Sequence, residues 1–219
     1  MIYDAAHAFG VNCHCGSLLQ HGDLSVLSFH ATKVFSTFEG GAIVSPDAKT
    51  KKRIDRLKNF GFVDELTVAA NGINAKMSEL HAAVGLAQLP CFESVVSLRR
   101  KVAERYIAEL QDLKCLILPS YQHALSHNYA YFPVRITNLA SCRRDQLVDF
   151  LRSKGVVPRR YFHPLIPQFQ YYRANASAIS GNYPLAKQVA SEVLCLPIYP
   201  ELTADHVARI CRIIRDLLA

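Results

Sequence analysis

The longest regular pattern in the sequence is helical; it covers residues 77–113 and is interrupted at Pro90. Apolar residues recur there at intervals of three and four, as in helices that bury one face. A proline inside such a run breaks the helix. Strand patterns dominate before this segment, and strand and helix patterns alternate after it. The order of these patterns predicts an α/β protein.

The same helical segment indicates where the chain divides. Its pattern ends near residue 113, and a proline-serine turn follows at residues 119–120. A chain of 219 residues is long enough for one large domain or two small ones. We therefore predict a boundary that separates residues 1–113, which end in the connecting helices, from a small α/β domain over residues 114–219. Within the small domain, a helix is predicted to begin at Ser141 and a strand at Val156.

Charge and cysteine content narrow the class of protein. Lysine and arginine total 25 against 18 aspartates and glutamates, and the net charge of +7 favours anionic ligands. No apolar run approaches the roughly 18 residues that span a bilayer, and no basic and apolar leader opens the sequence. The seven cysteines are scattered, as expected of reduced thiols. We expect a cytoplasmic protein with no membrane segment.

Lys33 is the residue whose setting most favours chemistry. It belongs to a long apolar, strand-like stretch that begins at Leu24. A lysine in apolar surroundings is costly unless its charge is paired or removed. Desolvation lowers the pKa of an amine, and a partly neutral amine attacks carbonyl carbons. The alternative is a lysine at a strand end whose ammonium group lies in water.

Asp4 and His7 follow the first apolar run of the chain. The carboxyl ends of parallel strands are where open α/β sheets bind ligands. An aspartate at such a position can keep a pyridine nitrogen protonated, which makes the ring an electron sink. The two alanines between these residues allow a tight turn that presents His7 beside Asp4. The alternative is a loop aspartate that caps the following turn.

A concentration of histidines and cysteines in the first thirty residues suggests a metal site as another alternative. Its members are His7, Cys13, His14, Cys15, His21 and His30. The two cysteines are separated by one residue, whereas common zinc modules separate them by two or more. A loop between strands is therefore the favoured interpretation, and we expect no metal.

A basic stretch over residues 49–58 raises the alternative of nucleic-acid binding. Its cations are Lys49, Lys51, Lys52, Arg53, Arg56 and Lys58. No aromatic residue stands between them to stack on bases, and no helix-turn-helix or RNP pattern accompanies them. A solvated helix face is favoured, and we expect no nucleic-acid partner.

Several motifs, taken in order, resemble the DegT/DnrJ/EryC1/StrS family of sugar-nucleotide aminotransferases, which use pyridoxal 5'-phosphate (PLP). The resemblance covers nearly the whole chain and implies PLP-dependent transferase fold type I, the aspartate-aminotransferase-like fold. The motifs are DAAH at residues 4–7, SFHATK at 28–33, EGGAIV at 39–44, GINAKMSEL at 72–80, AAVGLAQL at 82–89 and LPIYP at 196–200.

The resemblance implies roles for five residues. Lys33 would bind PLP covalently and carry the proton during amino transfer. Asp4 would pair with the ring nitrogen of the cofactor, and His7 would lie by the ring or its 3-oxygen. Ser28 would hold the cofactor phosphate. Asn74 would reach the phosphate of the neighbouring subunit, which implies a homodimer.

The resemblance also implies a reaction. The amino group, in this family commonly that of glutamate, would pass to a nucleotide-linked keto-sugar such as a dTDP-linked 3- or 4-keto-6-deoxyhexose. The product would serve amino-sugar biosynthesis, for a surface polysaccharide such as lipopolysaccharide O-antigen or for a glycosylated metabolite.

In this family the strand that ends in the aspartate lies in the middle of the large domain, whereas here it ends at Asp4. We therefore expect a C-terminal portion of an aminotransferase, in which residues 1–113 are the remnant of the PLP-binding large domain. The alternative is a truncated and catalytically inactive remnant with a structural or interaction role.

Overall fold

The computed structural model describes residues 1–121, 126–178 and 181–218. It separates into two compact regions. The first region comprises residues 1–96 with the short segment 121–130, and the second region comprises residues 97–120 and 131–219. This division follows the packing within the chain, and the domain boundary after residue 113 stays a prediction.

A three-stranded sheet and a short hairpin form the first half of the first region. The strands are β1 (Ile2–Asp4), β2 (Asn12–Cys13), β3 (Gly16–Ser17), β4 (Leu24–Ser28) and β5 (Gly41–Val44). The sheet has the order β1-β4-β5, in which β1 and β4 are parallel and β4 and β5 are antiparallel. The strands β2 and β3 pair as an antiparallel hairpin. Because β1 and β4 are parallel, their carboxyl ends lie at the same edge.

Three helices follow. They are α1 (Ala48–Leu57), α2 (Glu79–Gln88) and α3 (Phe92–Leu110), and a single 3-10 turn at Leu89–Cys91 separates the last two. The predicted break of the helical segment at Pro90 is therefore confirmed. Asp47 caps α1 by accepting a hydrogen bond from the Thr50 amide at 2.7 Å.

Four phenylalanines pack together inside the first region. The rings of Phe9 and Phe35 stack with their centroids 4.5 Å apart. Phe29 meets Phe35 edge-on at 5.0 Å, and Phe92 meets Phe9 edge-on at 4.9 Å. Such arrangements stabilise aromatic pairs beyond the area that they bury. The cluster joins the segment after β1 to the segment after β4.

The second region is built on an antiparallel sheet of the order β6-β7-β8. Its elements are β6 (Leu116–Ile117), β7 (Phe132–Ile136), α4 (Arg144–Ser153), α5 (Pro184–Glu192), β8 (Val193–Leu196) and α6 (Ala204–Leu218). Helices α4 and α6 pack together. Among the described residues, eleven of the twelve largest fully buried side chains, including Tyr106, Phe132 and Leu147, lie in this region.

Two predictions about the second region are wrong. Val156 begins no strand; the neighbouring segment makes a single bridge, in which Arg159 pairs with Cys195. Ser141 does not cap α4, because its hydroxyl donates to the Leu217 carbonyl at 3.0 Å. The Arg143 amide at the start of α4 instead donates to the Gln146 side chain at 2.7 Å. Within the described part of the chain, no helix is both long and apolar enough to cross a membrane.

Candidate active site

The parallel pairing of β1 with β4 positions Asp4. Asp4 lies opposite Val26 in the register, and the Ala5 amide donates to the Val26 carbonyl at 2.9 Å. The Asp4 carboxylate accepts a hydrogen bond from the Ala6 amide at 3.1 Å, which closes a tight turn. The Asp4 side chain is exposed, so its second carboxylate oxygen is accessible to a ligand. Turn capping and ligand binding are therefore compatible for this aspartate.

Lys33 lies in the loop between β4 and β5, five residues beyond the end of the strand rather than within it. The Lys33 amide donates to the His30 carbonyl at 2.9 Å. The base of the loop is closed by two bonds, from the Phe29 amide to the Gly40 carbonyl at 2.9 Å and from the Thr37 amide to the Phe29 carbonyl at 2.8 Å. These bonds fix the backbone that carries the lysine.

Packing fixes the same loop from the side of the core. Phe35 and Thr37 are buried, with 7% and 1% of their surfaces exposed. The Thr37 hydroxyl donates to the Glu39 carbonyl at 2.7 Å. Helix α2 approaches closely at Gly85, where an added Cβ would lie 2.9 Å from the Thr37 methyl carbon. A glycine at this point of α2 therefore allows the helix to pack against the loop.

The side chains of Lys33 and His7 meet, with Nζ 3.3 Å from Nε2. Desolvation lowers the pKa of Lys33, and the Asp4 carboxylate partly opposes that shift. Desolvation lowers the pKa of His7 most, and the charge of Lys33 lowers it further. The charge of Asp4 again opposes the shift. The arrangement thus favours the neutral forms of two bases in contact and places one carboxylate near both.

Asn128 is a positioning residue that the sequence analysis missed. Only 3% of its surface is exposed, and its side-chain amide donates to the carbonyls of His7 at 2.8 Å and of Phe9 at 3.0 Å. It therefore holds the backbone of the turn that presents His7. No local pattern in the sequence marks it, because its partners are about 120 residues away.

The structure brings together three of the five predicted site residues, Asp4, His7 and Lys33. Ser28 ends β4 and is half-buried, and its hydroxyl accepts from the His30 amide at 3.4 Å. Asn74 is exposed, and its side-chain oxygen accepts from the Lys76 ammonium group at 3.1 Å. Ser28 is thus close in the chain to the Lys33 loop, whereas the described contacts of Asn74 lie elsewhere.

The structure also locates the residues on which the metal-site and nucleic-acid alternatives depend. Among the described residues, no three histidine, cysteine, aspartate or glutamate side chains are grouped as a metal ion requires. In α1, Lys51 pairs with Asp55 at 2.5 Å, and Lys58, the residue after the helix, pairs with the same aspartate at 2.8 Å. Such pairs are typical of a solvated helix face.

A cavity of about 1110 Å³ lies in the second region. Its lining combines aromatic and proline side chains with Arg152, Arg159 and Arg160. None of the five predicted site residues lines it.

Comparison with known proteins identifies the family. Residues 1–215 match the DegT/DnrJ/EryC1/StrS aminotransferase family, and the chain belongs to it. A dTDP-4-amino-4,6-dideoxy-D-glucose transaminase from Shigella dysenteriae is 46% identical over 219 residues, which are 99% of this chain and 59% of that protein. An Escherichia coli transaminase of the same name is 45% identical over 215 residues, or 98% of this chain and 58% of that protein.

Solved structures show the same fold. The crystal structure of DesI with its TDP-sugar product has a TM-score of 0.89 and 35% identity, and the match covers 98% of this chain and 54% of DesI. The predicted PLP-dependent transferase fold is therefore confirmed, and the family is PLP-dependent. The chain spans about three fifths of the length of the curated relatives that it matches.

Proposed function

We propose that the protein carrying this chain uses PLP to transfer an amino group, from glutamate, to a dTDP-linked 4-keto-6-deoxyhexose. One observation carries the proposal: Lys33, His7 and Asp4 form a cluster in a chain that is 46% identical to a dTDP-4-amino-4,6-dideoxy-D-glucose transaminase. The name of that relative favours the 4-position over the 3-position of the sugar.

The chemistry of the side chains fits PLP. Lys33 supplies an amine for the cofactor aldehyde, and Asp4 supplies a carboxylate for a protonated pyridine nitrogen. His7 would lie beside the ring, Ser28 would bind the phosphate through its hydroxyl, and Asn74 would serve the partner subunit's cofactor. When bound, PLP supplies an electron-withdrawing ring that stabilises negative charge on the substrate carbon.

Lys33 is the group that we propose moves the proton. An amine whose pKa is lowered by desolvation holds more of the neutral form that accepts a proton near neutral pH. His7, 3.3 Å from Nζ, restricts the direction of the amine. The charge of Asp4 stabilises the protonated form of Lys33, so that the amine can both take up the proton and return it.

The proposal also covers the oligomeric state, the cell compartment and the use of the product. A homodimer suits Asn74, because its side chain is exposed and could reach a partner subunit. Within this chain the side-chain oxygen of Asn74 accepts a hydrogen bond from the Lys76 ammonium group. The seven free cysteines suit the cytoplasm, where thiols stay reduced. The amino sugar would be a building block for a surface polysaccharide such as O-antigen.

Borohydride reduction of the PLP-loaded protein tests the assignment, because it fixes the cofactor to the lysine that binds it. We expect the cofactor on Lys33 in peptide mapping. Attachment at Lys49 or Lys76 would contradict the assignment. Incubation with glutamate and the dTDP-linked 4-keto sugar should yield the 4-amino sugar. Turnover of the dTDP-linked 3-keto sugar, with none of the 4-keto sugar, would overturn the choice of substrate.

A further inference from the structure

A second cluster of reactive groups lies on the hairpin β2–β3, apart from the groups assigned above. Cys13 ends β2, and its register partner Gly16 begins β3, so that His14 and Cys15 form the connecting turn. A short 3-10 helix at Leu18–Gln20 then returns the chain and brings His21 back to Cys13. The Cys13 sulfur lies 3.3 Å from Nε2 of His21.

The surroundings of Cys13 favour its thiolate. The hydrogen bond with His21 lowers the pKa of the Cys13 thiol most, and bonds from the backbone and the thiol of Cys15 lower it further. The Cys13 thiol also donates to the Gly16 carbonyl at 3.4 Å, a bond that by itself favours the protonated form. Cys13 is half-buried, whereas Cys15 and His21 are exposed, so small solutes can reach the pair.

The other cysteines provide a contrast within the same chain. Burial raises the pKa of Cys195 to about 11 and that of Cys211 to about 12, and both thiols are inert in such surroundings. Cys91 is exposed, but among the described residues no imidazole contacts its sulfur. Accessibility and an adjacent base coincide at Cys13.

We propose that Cys13 is a peroxide-reactive thiol, activated by His21, and that Cys15 resolves the product as a Cys13–Cys15 disulfide. Nothing in this proposal depends on the aminotransferase activity. It assigns the hairpin a role as an oxidation site.

The chemistry balances with hydrogen peroxide as the oxidant. The Cys13 sulfur attacks one peroxide oxygen, so that an S–O bond forms, the O–O bond breaks, and the departing hydroxide takes the proton held by His21 to leave as water. The Cys15 sulfur then attacks the Cys13 sulfur; the S–S bond forms, the S–O bond breaks, and a second water leaves with the Cys15 proton. Two thiols are oxidised and one peroxide is reduced.

Peptide mass spectrometry of the 219-residue chain tests the proposal. The first lysine or arginine is Lys33, so the tryptic peptide of residues 1–33 contains Cys13 and Cys15 and no other cysteine. After limiting hydrogen peroxide and alkylation of the remaining thiols, this peptide should lose two hydrogens and resist alkylation. Its oxidation should be at least roughly tenfold faster than that of Cys91. In the variant Cys15→Ser, dimedone should trap a sulfenic acid at Cys13.

Two substitutions separate activation by His21 from simple exposure. His21→Asn should slow oxidation of Cys13 toward the rate of Cys91, whereas His14→Asn, in the same turn, should leave the rate unchanged. Urea should abolish the difference between Cys13 and Cys91, because it removes the contact between thiol and imidazole.

Three results would overturn the proposal. They are equal rates at Cys13 and Cys91 in buffer, an unchanged rate in His21→Asn, and a disulfide that links two chains and does not form when the protein is diluted before oxidation.

Discussion

The first region buries four apolar side chains, Ala5, Val11, Leu27 and Phe35, whereas the second region buries twenty-four among the described residues. Every residue of the candidate site lies in the first region. Its loops are held by backbone hydrogen bonds, by Asn128 and by the phenylalanine cluster. The second region is instead held by apolar packing around β7, β8, α4 and α6.

This contrast indicates that reactivity and stability are separable in this chain. The candidate site needs polar groups that are partly desolvated and accurately positioned, and such groups contribute little to stability. A dense apolar core contributes stability and no chemistry. Substitutions of the reactive side chains in the first region and of the apolar core in the second region should therefore have opposite profiles, with activity lost in one case and stability lost in the other.

The largest effect is expected at Lys33. Lys33→Ala should lower amino transfer by roughly 10²- to 10⁴-fold or more, because proton transfer by a positioned base contributes that much. The free energy of unfolding should change by less than about 0.5 kcal/mol, since Lys33 is not one of the buried core residues. Steady-state kinetics and urea denaturation measure the two quantities. Lys49→Ala, on the exposed α1 surface, is the matched control and should change neither.

Leu147 provides the opposite profile in the second region. Its side chain is fully buried, so Leu147→Ala should reduce the free energy of unfolding by about 2–5 kcal/mol. The rate per folded molecule should stay the same. Leu185, 76% exposed on α5, is the control in the same region, and Leu185→Ala should cost less than about 0.5 kcal/mol. A loss of rate without a loss of stability in Leu147→Ala would contradict the separation.

A feature of this structure could be predicted when the residues that cause it are close together in the sequence. The break at Pro90 is a local effect, and the sequence predicted it. Asp4, His7 and Lys33 were identified by local motifs, and the structure places them together. The residues missed are those whose role depends on distant partners: Asn128 serves the turn after β1, and Ser141 bonds to the carboxyl end of α6.

Short elements were also beyond prediction. The hairpin β2–β3 has two-residue strands, in which no alternation of apolar and polar residues can be recognised. The stretch at Val156 has the β-branched residues of a strand. Its neighbour Arg159 nevertheless makes a single bridge rather than a ladder. Tertiary pairing, which the local sequence does not encode, decides both cases.

Asn128 tests whether polar packing really supports the first region. Asn128→Ala would leave the carbonyls of His7 and Phe9 without their buried donor, which costs about 1–3 kcal/mol. Amide hydrogen exchange of Ala8 and Val11, whose amides bond within this turn, should therefore accelerate by roughly 5- to 150-fold. Asn71→Ala, at an exposed position of the same region, is the control. Unchanged exchange in Asn128→Ala would show that the turn is held by other contacts.

The smallest expected effect is the titration of His7. Desolvation and then Lys33 lower its pKa below 6.5, and Asp4 opposes them. Between that lowered pKa and 6.5 the unfolded chain binds more protons than the folded chain, so the contribution of His7 to stability is lost as the pH falls through this window. The ring proton resonances of His7 in NMR spectra report its pKa directly. Asp4→Asn should lower this pKa further, and Lys33→Met should raise it, because each variant removes one charge of known sign. Shifts of the same sign in both variants would mean that Asp4 and Lys33 do not act on His7 through their charges.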